Sequence, residues 1–206
     1  MSFIIHVNIF IKDLFGTPLS SADDLSTLVY LAFNFNYFGT SFTQLAISTN
    51  GYVCIGFSSQ CGGKIRPSSS DIVVGLNHDL NTARSGSGQI YYKTLSDFSM
   101  VQSYVNLLNS SFIPTDAFMI TYDRVLPYSS ISSSLTSFQI FISINSIKSY
   151  VTLKYTSCPT DLSVRATSGL NHHNGGGWIE EPSFTNWCTS SNVGKTGLWV
   201  FDVTQG

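Results

Sequence analysis

Charge is what this chain has least of. Of its 206 residues only 11% are charged, with ten Lys or Arg against twelve Asp or Glu and a formal net charge of −2. Ordinary soluble domains carry about 25%. The basic residues are scattered and build no cluster, which leaves no electrostatic footprint for nucleic acid. No apolar run approaches the ~20 residues of a membrane-crossing helix, so no membrane span is expected. The four cysteines contain no Cys-x-x-Cys pair, which argues against a zinc ribbon or a thioredoxin-like site. No Gly-x-Ser-x-Gly turn is present to raise a serine nucleophile. Gly175-Gly176-Gly177 has no following Lys-Ser/Thr, so it is no phosphate loop. Neither an enzyme nor a cofactor is expected.

What the chain does have is apolar and aromatic bulk, 43% and 14% of residues, with Ser, Thr, Asn and Gly supplying the surface in place of charge. That balance suits an extracellular β-protein or a packed assembly, and the length suits one large domain. An even cysteine count points to two disulfides and an oxidising compartment. Cys54 and Cys61 are close enough in sequence to close a small loop, which leaves Cys158 for Cys188 across a long Asn/Gly-rich stretch.

Periodicity places the elements. Phe3, Ile5, Val7, Ile9 and Ile11 make one apolar face of a strand. Met1–Ile11 reads poorly as a signal peptide, since no Lys or Arg precedes the apolar run and no small-residue cleavage site follows it. Two readings stand for this strand: the first strand of the domain, or a strand that adds to the edge of a neighbouring molecule. Gln44–Phe57 reads as a hairpin around Asn50-Gly51, a pair that suits a two-residue loop. Ala46, Ser48, Tyr52 and Cys54 then share one face, and Leu45, Ile47, Val53 and Ile55 the other. Phe98, Val101, Val105 and Leu108 mark one face of a helix over about 96–108, with Ser96 or Asp97 as cap. Further strands are expected at Leu28–Phe38, Ile72–Leu76, Gln89–Lys93, Ala117–Val125, Ser137–Ile144, Tyr150–Tyr155 and Gly197–Val203. The expected fold is mainly β: β-sandwich-like antiparallel sheets with one amphipathic α-helix. Residues 1–22 are expected to form the N-terminal strand and lead-in, and residues 23–206 the domain.

Six segments in order give the chain a family likeness. Val29–Phe35 with Tyr37-Phe38-Gly39 is one, and Thr49-Asn50-Gly51-Tyr52 is the second. Ser87–Tyr92 is the third, and Ala117–Val125 the fourth, with Tyr122 where Trp is usual. Ser137–Ile142 and Ser191-Asn192-Val193-Gly194 with Gly197–Phe201 complete the set. Together they resemble the nidogen-type extracellular (NIDO) domain. The likeness departs at Val74–Asn81, which stands where the family shows APFWxDxD: the Pro-Phe-Trp is gone and the second acid is Asn81. Residues Phe3 to Ile11 are outside the part that matches. The resemblance implies a secreted, non-enzymatic structural or adhesive module, assembling with other extracellular proteins or with copies of itself. Filament or matrix formation through strand addition is the specific form expected.

Candidate site residues are few. His78-Asp79 are sequence neighbours and, on an extended strand, point to opposite faces, so Asp79 would not buttress His78. His172-His173 lack further ligands at zinc spacing. Asn77, Asp79 and Asn81 alternate like a sparse calcium loop that falls short of the six to eight oxygens calcium takes. Asn171, His172, His173 and Asn174, with Trp178 beside them, form the expected interaction loop. Trp178 and Trp187 are the residues that would stack on sugar if the module binds glycan. Asn109-Ser110-Ser111 is a glycosylation sequon.

Overall fold

Strands in this chain are built by alternation. In β2, Val29, Leu31, Phe33, Phe35 and Tyr37 are buried while Leu28, Tyr30, Ala32, Asn34 and Asn36 are exposed. Successive side chains on a pleated strand point to opposite faces, so such a pattern needs one covered face. The computed structural model describes residues 16–56, 61–63, 71–128, 134–158, 167–172, 179–180 and 184–205. The segment Phe3–Ile11 lies outside them.

The elements run in chain order as β1 (Thr17–Pro18), β2 (Ser26–Tyr37), β3 (Thr40–Ser48), β4 (Tyr52–Ile55), β5 (Ile72–Asn77), β6 (Leu80–Asn81) and β7 (Gln89–Thr94). Helix α1 (Ser99–Val105) follows, then β8 (Asp116–Pro127), β9 (Thr136–Ile144), β10 (Ser149–Ser157), β11 (Thr167–Asn171), β12 (Ile179–Glu180), α2 (Phe184–Thr189) and β13 (Leu198–Asp202). They form two sheets. The first is ordered β1-β7-β8-β9-β10-β13, with β6 also on β8; the second is β12-β11-β5-β4-β3-β2. Every pairing is antiparallel. The main core lies between the sheets and joins Val29, Leu31, Phe35, Leu45, Ile47 and Val73 to Phe118, Ile120, Phe138, Ile140 and Leu153.

Buried aromatics run through that core as a chain of ring contacts. Tyr122 stacks on Phe138 at 4.4 Å, Phe138 meets Tyr155 at 6.0 Å, Tyr155 meets Trp187 at 6.3 Å, and Trp187 packs on Trp199 at 4.5 Å. Hydroxyls on these rings cross the gap between sheets. Tyr122 Oη donates to Ser48 O at 2.6 Å, and Tyr155 Oη donates to Gly75 O at 2.5 Å. Within the second sheet, Tyr37 Oη on β2 lies 3.0 Å from Ile72 O on β5 and 2.9 Å from Asn171 O on β11. Each hydroxyl answers a backbone carbonyl, which keeps polar atoms satisfied inside an apolar layer.

Three features differ from the expectations. Helix α1 is seven residues, Ser99–Val105, and not 96–108. Beyond Val105 the turns tighten, with Leu107 N on Tyr104 O and Leu108 N on Val105 O. That tightening rotates Leu108 off the packed face and leaves it 48% exposed. Val101, Tyr104 and Val105 do pack on the outer face of the first sheet, against Met119, Phe141 and Tyr150. A second helix, α2, was not expected; six residues are too few to show a helical period.

The hairpin loop is the third. Ile47 pairs with Val53 and Ala46 with Cys54. The turn is therefore one residue longer than a two-residue loop, which would pair Ile47 with Cys54. Gly51 takes φ +82°, the left-handed position such loops need. The faces are as expected: Leu45, Ile47, Val53 and Ile55 join the main core, while Ala46, Tyr52 and Cys54 pack with Cys61, Ile72 and Val74 on the other side.

Candidate interaction surface

The loop Thr49-Asn50-Gly51 is buried, unlike an ordinary hairpin tip. Asn50 Nδ2 donates to Asp24 Oδ1 at 2.8 Å and to Gly63 O at 3.2 Å, and its Oδ1 accepts from Leu80 N at 2.9 Å. Gly51 O accepts from Gly75 N and Leu76 N. A Cβ on Gly51 would sit 1.8 Å from Leu76 O, so only glycine fits. The loop thus ties β3–β4 to the entry of β2 and to β5–β6.

Around it gather Asp23, Asp24 and Asp79, with one carboxylate oxygen of each within 4.8 Å of the others. Asp79 is the residue this cluster shares with the sparse Asn77, Asp79 and Asn81 loop. Asn81 turns its Oδ1 to Ala83 N at 2.8 Å, and Asn77 sits on the β5–β11 ladder opposite Thr167. Calcium takes six to eight oxygens, and three carboxylates cover only part of that shell.

His172 and Asp71 form an ionisable pair. His172 Nδ1 lies 2.8 Å from Asp71 Oδ1, with side chains 10% and 5% exposed. Phe38 lies 5.2 Å from the imidazole, ring to ring. Burial, and then the charge of Asp71, push the Tyr37 phenol well above its ordinary pKa. So closed a pair anchors the end of β11 and offers little to a substrate. Asn171 is likewise held, through its carbonyl, by Tyr37. His173, Asn174 and Trp178 lie outside the described residues. Of the two tryptophans a sugar platform would use, Trp187 is fully buried, which removes it from that role.

Cys54 is bonded to Cys61 and Cys158 to Cys188. The second bond ties the end of β10 to α2, the helix that carries Trp187. Asn109 follows α1; its Nδ2 donates to Tyr150 Oη at 2.9 Å while its Oδ1 accepts from Ser111 Oγ at 2.9 Å. A glycan would take one amide hydrogen and leave the other for Tyr150.

The sheet edges were the least visible part in sequence. On β13, Asn192 acts as a substitute strand: its Nδ2 donates to Val200 O at 2.7 Å and its Oδ1 accepts from Val200 N at 3.0 Å. Ser191 Oγ donates to Leu198 O at 2.7 Å. Just beyond, Phe38 N and Gly39 N donate to Val203 O and Thr204 O. The Ser191–Gly194 motif is therefore an edge clamp.

The sequence profile of the Nidogen-like domain matches residues 43–205. The chain belongs to the nidogen-like domain family. It is 28% identical over 202 residues to mouse Nidogen-1, an alignment covering 81% of this chain and 16% of that protein. The chain thus spans under one fifth of the length of this relative. No solved structure matches significantly. Within this nidogen-like domain the departure from the family's APFWxDxD has a local cause. Gly75 stands in the proline's place, its N–H donates to Gly51 O, and a Cβ there would lie 2.1 Å from the Phe138 ring.

Proposed function

We propose that this domain is an extracellular protein-interaction module, a disulfide-stapled β-sandwich that joins other chains through its strand edges and has a structural role. In its specific form, Phe3–Ile11 adds as a strand to a neighbouring copy. Membership of the nidogen-like family and two disulfides support the extracellular setting.

The observation that carries the strand reading is the register of β1. Thr17 pairs with Tyr92 and Pro18 with Tyr91. Followed backwards, that register meets Lys93 and Thr94, where β7 ends. Leu95 N is already on Ala117 O, and the chain then enters α1. β7 ends at Thr94 and offers this ladder no further partner beyond it, which supports a different edge as the partner of Phe3–Ile11.

Light scattering of the non-reduced full chain across a concentration series tests the reading. The mass should rise with concentration and fall to that of a monomer in Val7→Pro, which removes an N–H from the middle of the strand. A wild-type chain that stays monomeric throughout would sink it.

A further inference from the structure

We infer that the open edge of β2 is the acceptor for Phe3–Ile11 of a second copy of this chain. This rests on the strand-addition reading above and names its receiving surface.

The edges differ in how they are closed. The β13 edge is clamped by Ser191 and Asn192. The β7 edge is covered by β1, which carries a proline, and Leu19 N continues the cover onto Ile90 O. The β12 edge is two residues long in the described chain. β2 is twelve residues long, pairs with β3 on one side, and has no described strand on the other. It also lacks two of the devices that protect natural edges, since Ser26–Tyr37 contains no charged residue and no proline, and its register irregularity lies between Tyr30 and Phe35, clear of Ser26–Tyr30.

The occupant follows from matching chemistry. Phe3–Ile11 is likewise uncharged and alternating. Laid beside β2, its Phe3, Ile5, Val7, Ile9 and Ile11 face extends the buried row of Val29, Leu31, Phe33 and Phe35. Its other face, with His6 and Asn8, falls beside Leu28 and Tyr30, which are 38% and 71% exposed. The ladder from β2 to β3 is regular from Ser26 to Tyr30 and shifts before Phe35. Those five regular residues span about 17 Å, which nine added residues exceed.

The test uses two full-chain variants. Val7→Pro disables the donor and leaves β2 intact. Leu28→Lys with Tyr30→Lys places two charges along the acceptor at exposed positions and leaves the donor intact; circular dichroism checks that both fold. Each alone should be monomeric, and an equimolar mixture should give a 1:1 dimer that grows no further. A synthetic peptide of residues 1–13 should bind Val7→Pro, and bind a chain that combines Val7→Pro with Leu28→Lys and Tyr30→Lys about tenfold more weakly, from two lost cross-strand pairs. If the double-lysine chain assembles like wild type, or the peptide binds both proteins equally, the β2 acceptor is wrong while strand addition survives. If Val7→Pro assembles like wild type, or wild type stays monomeric, strand addition itself falls and the acceptor with it.

Discussion

Asn50 does more than turn the chain. Its side chain is fully buried and bridges three separate segments, Asp24, Gly63 and Leu80. Removing it in Asn50→Ala strands the Leu80 N–H and takes a donor from Asp24. A buried polar group left without its partner costs about 1–3 kcal/mol, so a loss of about 3 kcal/mol in urea unfolding is expected. Asn50→Asp should be worse still at neutral pH. It keeps the acceptor for Leu80 but turns the donor beside Asp24 into another carboxylate, next to the Asp23, Asp24 and Asp79 cluster. The order of stability should be Asn, Ala, Asp. An Asp variant as stable as wild type would show that Asp24 does not depend on this amide.

At the scale of elements, the clamp on β13 makes a second prediction. Asn192→Ala removes both bonds to Val200 and bares the peptide edge they cover. Stability should fall by about 1–3 kcal/mol. A second effect separates the edge role from simple stability: the variant should self-associate even when Val7→Pro is also present, because a new edge is open. If the double variant stays monomeric in light scattering, the clamp is a stabilising contact only. Elements also show where sequence was readable. Strand β2 was legible because a period of two survives any tertiary context. The hairpin's faces were legible from the same period, but its loop length was not, since Asn-Gly fits both two-residue and longer turns. Helix α1 was overextended because Leu108 keeps the apolar spacing after the backbone has tightened. α2 is held by the Cys158–Cys188 bond and buried Trp187 more than by its own propensity. Sites fared worse. The buried ionisable pair is His172 with Asp71, 101 positions apart, a distance that no reading of neighbouring residues spans. Likewise Asp79 meets Asp23 and Asp24 only through folding, across more than fifty positions of sequence.

For the molecule as a whole, Tyr122 and Tyr155 fasten one sheet to the other and Tyr37 ties β2 to β5 and β11 within one sheet, and these buried hydroxyls give the fold an alkaline limit. Burial raises the phenols of Tyr37, Tyr122 and Tyr155; the charge of Asp71 adds to Tyr37 and interaction with Tyr52 to Tyr122. A phenol whose folded pKa lies above its unfolded value holds its proton more tightly when folded. Its contribution is full below the unfolded value of about 10 and is lost as pH rises above it. Above that pH the unfolded chain binds fewer protons, so each such tyrosine adds a slope of up to about −1.4 kcal/mol per pH unit. The urea midpoint should therefore be nearly flat from pH 7 to 9 and fall steeply beyond 10. Tyr122→Phe isolates one of the three. At pH 7 it should be less stable, because it loses the 2.6 Å bond to Ser48 O and leaves that carbonyl buried. At pH 11 the wild type carries a cost for keeping Tyr122 protonated that the phenylalanine escapes. The gap between the two proteins should narrow as pH climbs through 10. A Tyr122→Phe gap that stays constant from pH 7 to 11 would mean that this hydroxyl does not fasten the sheets.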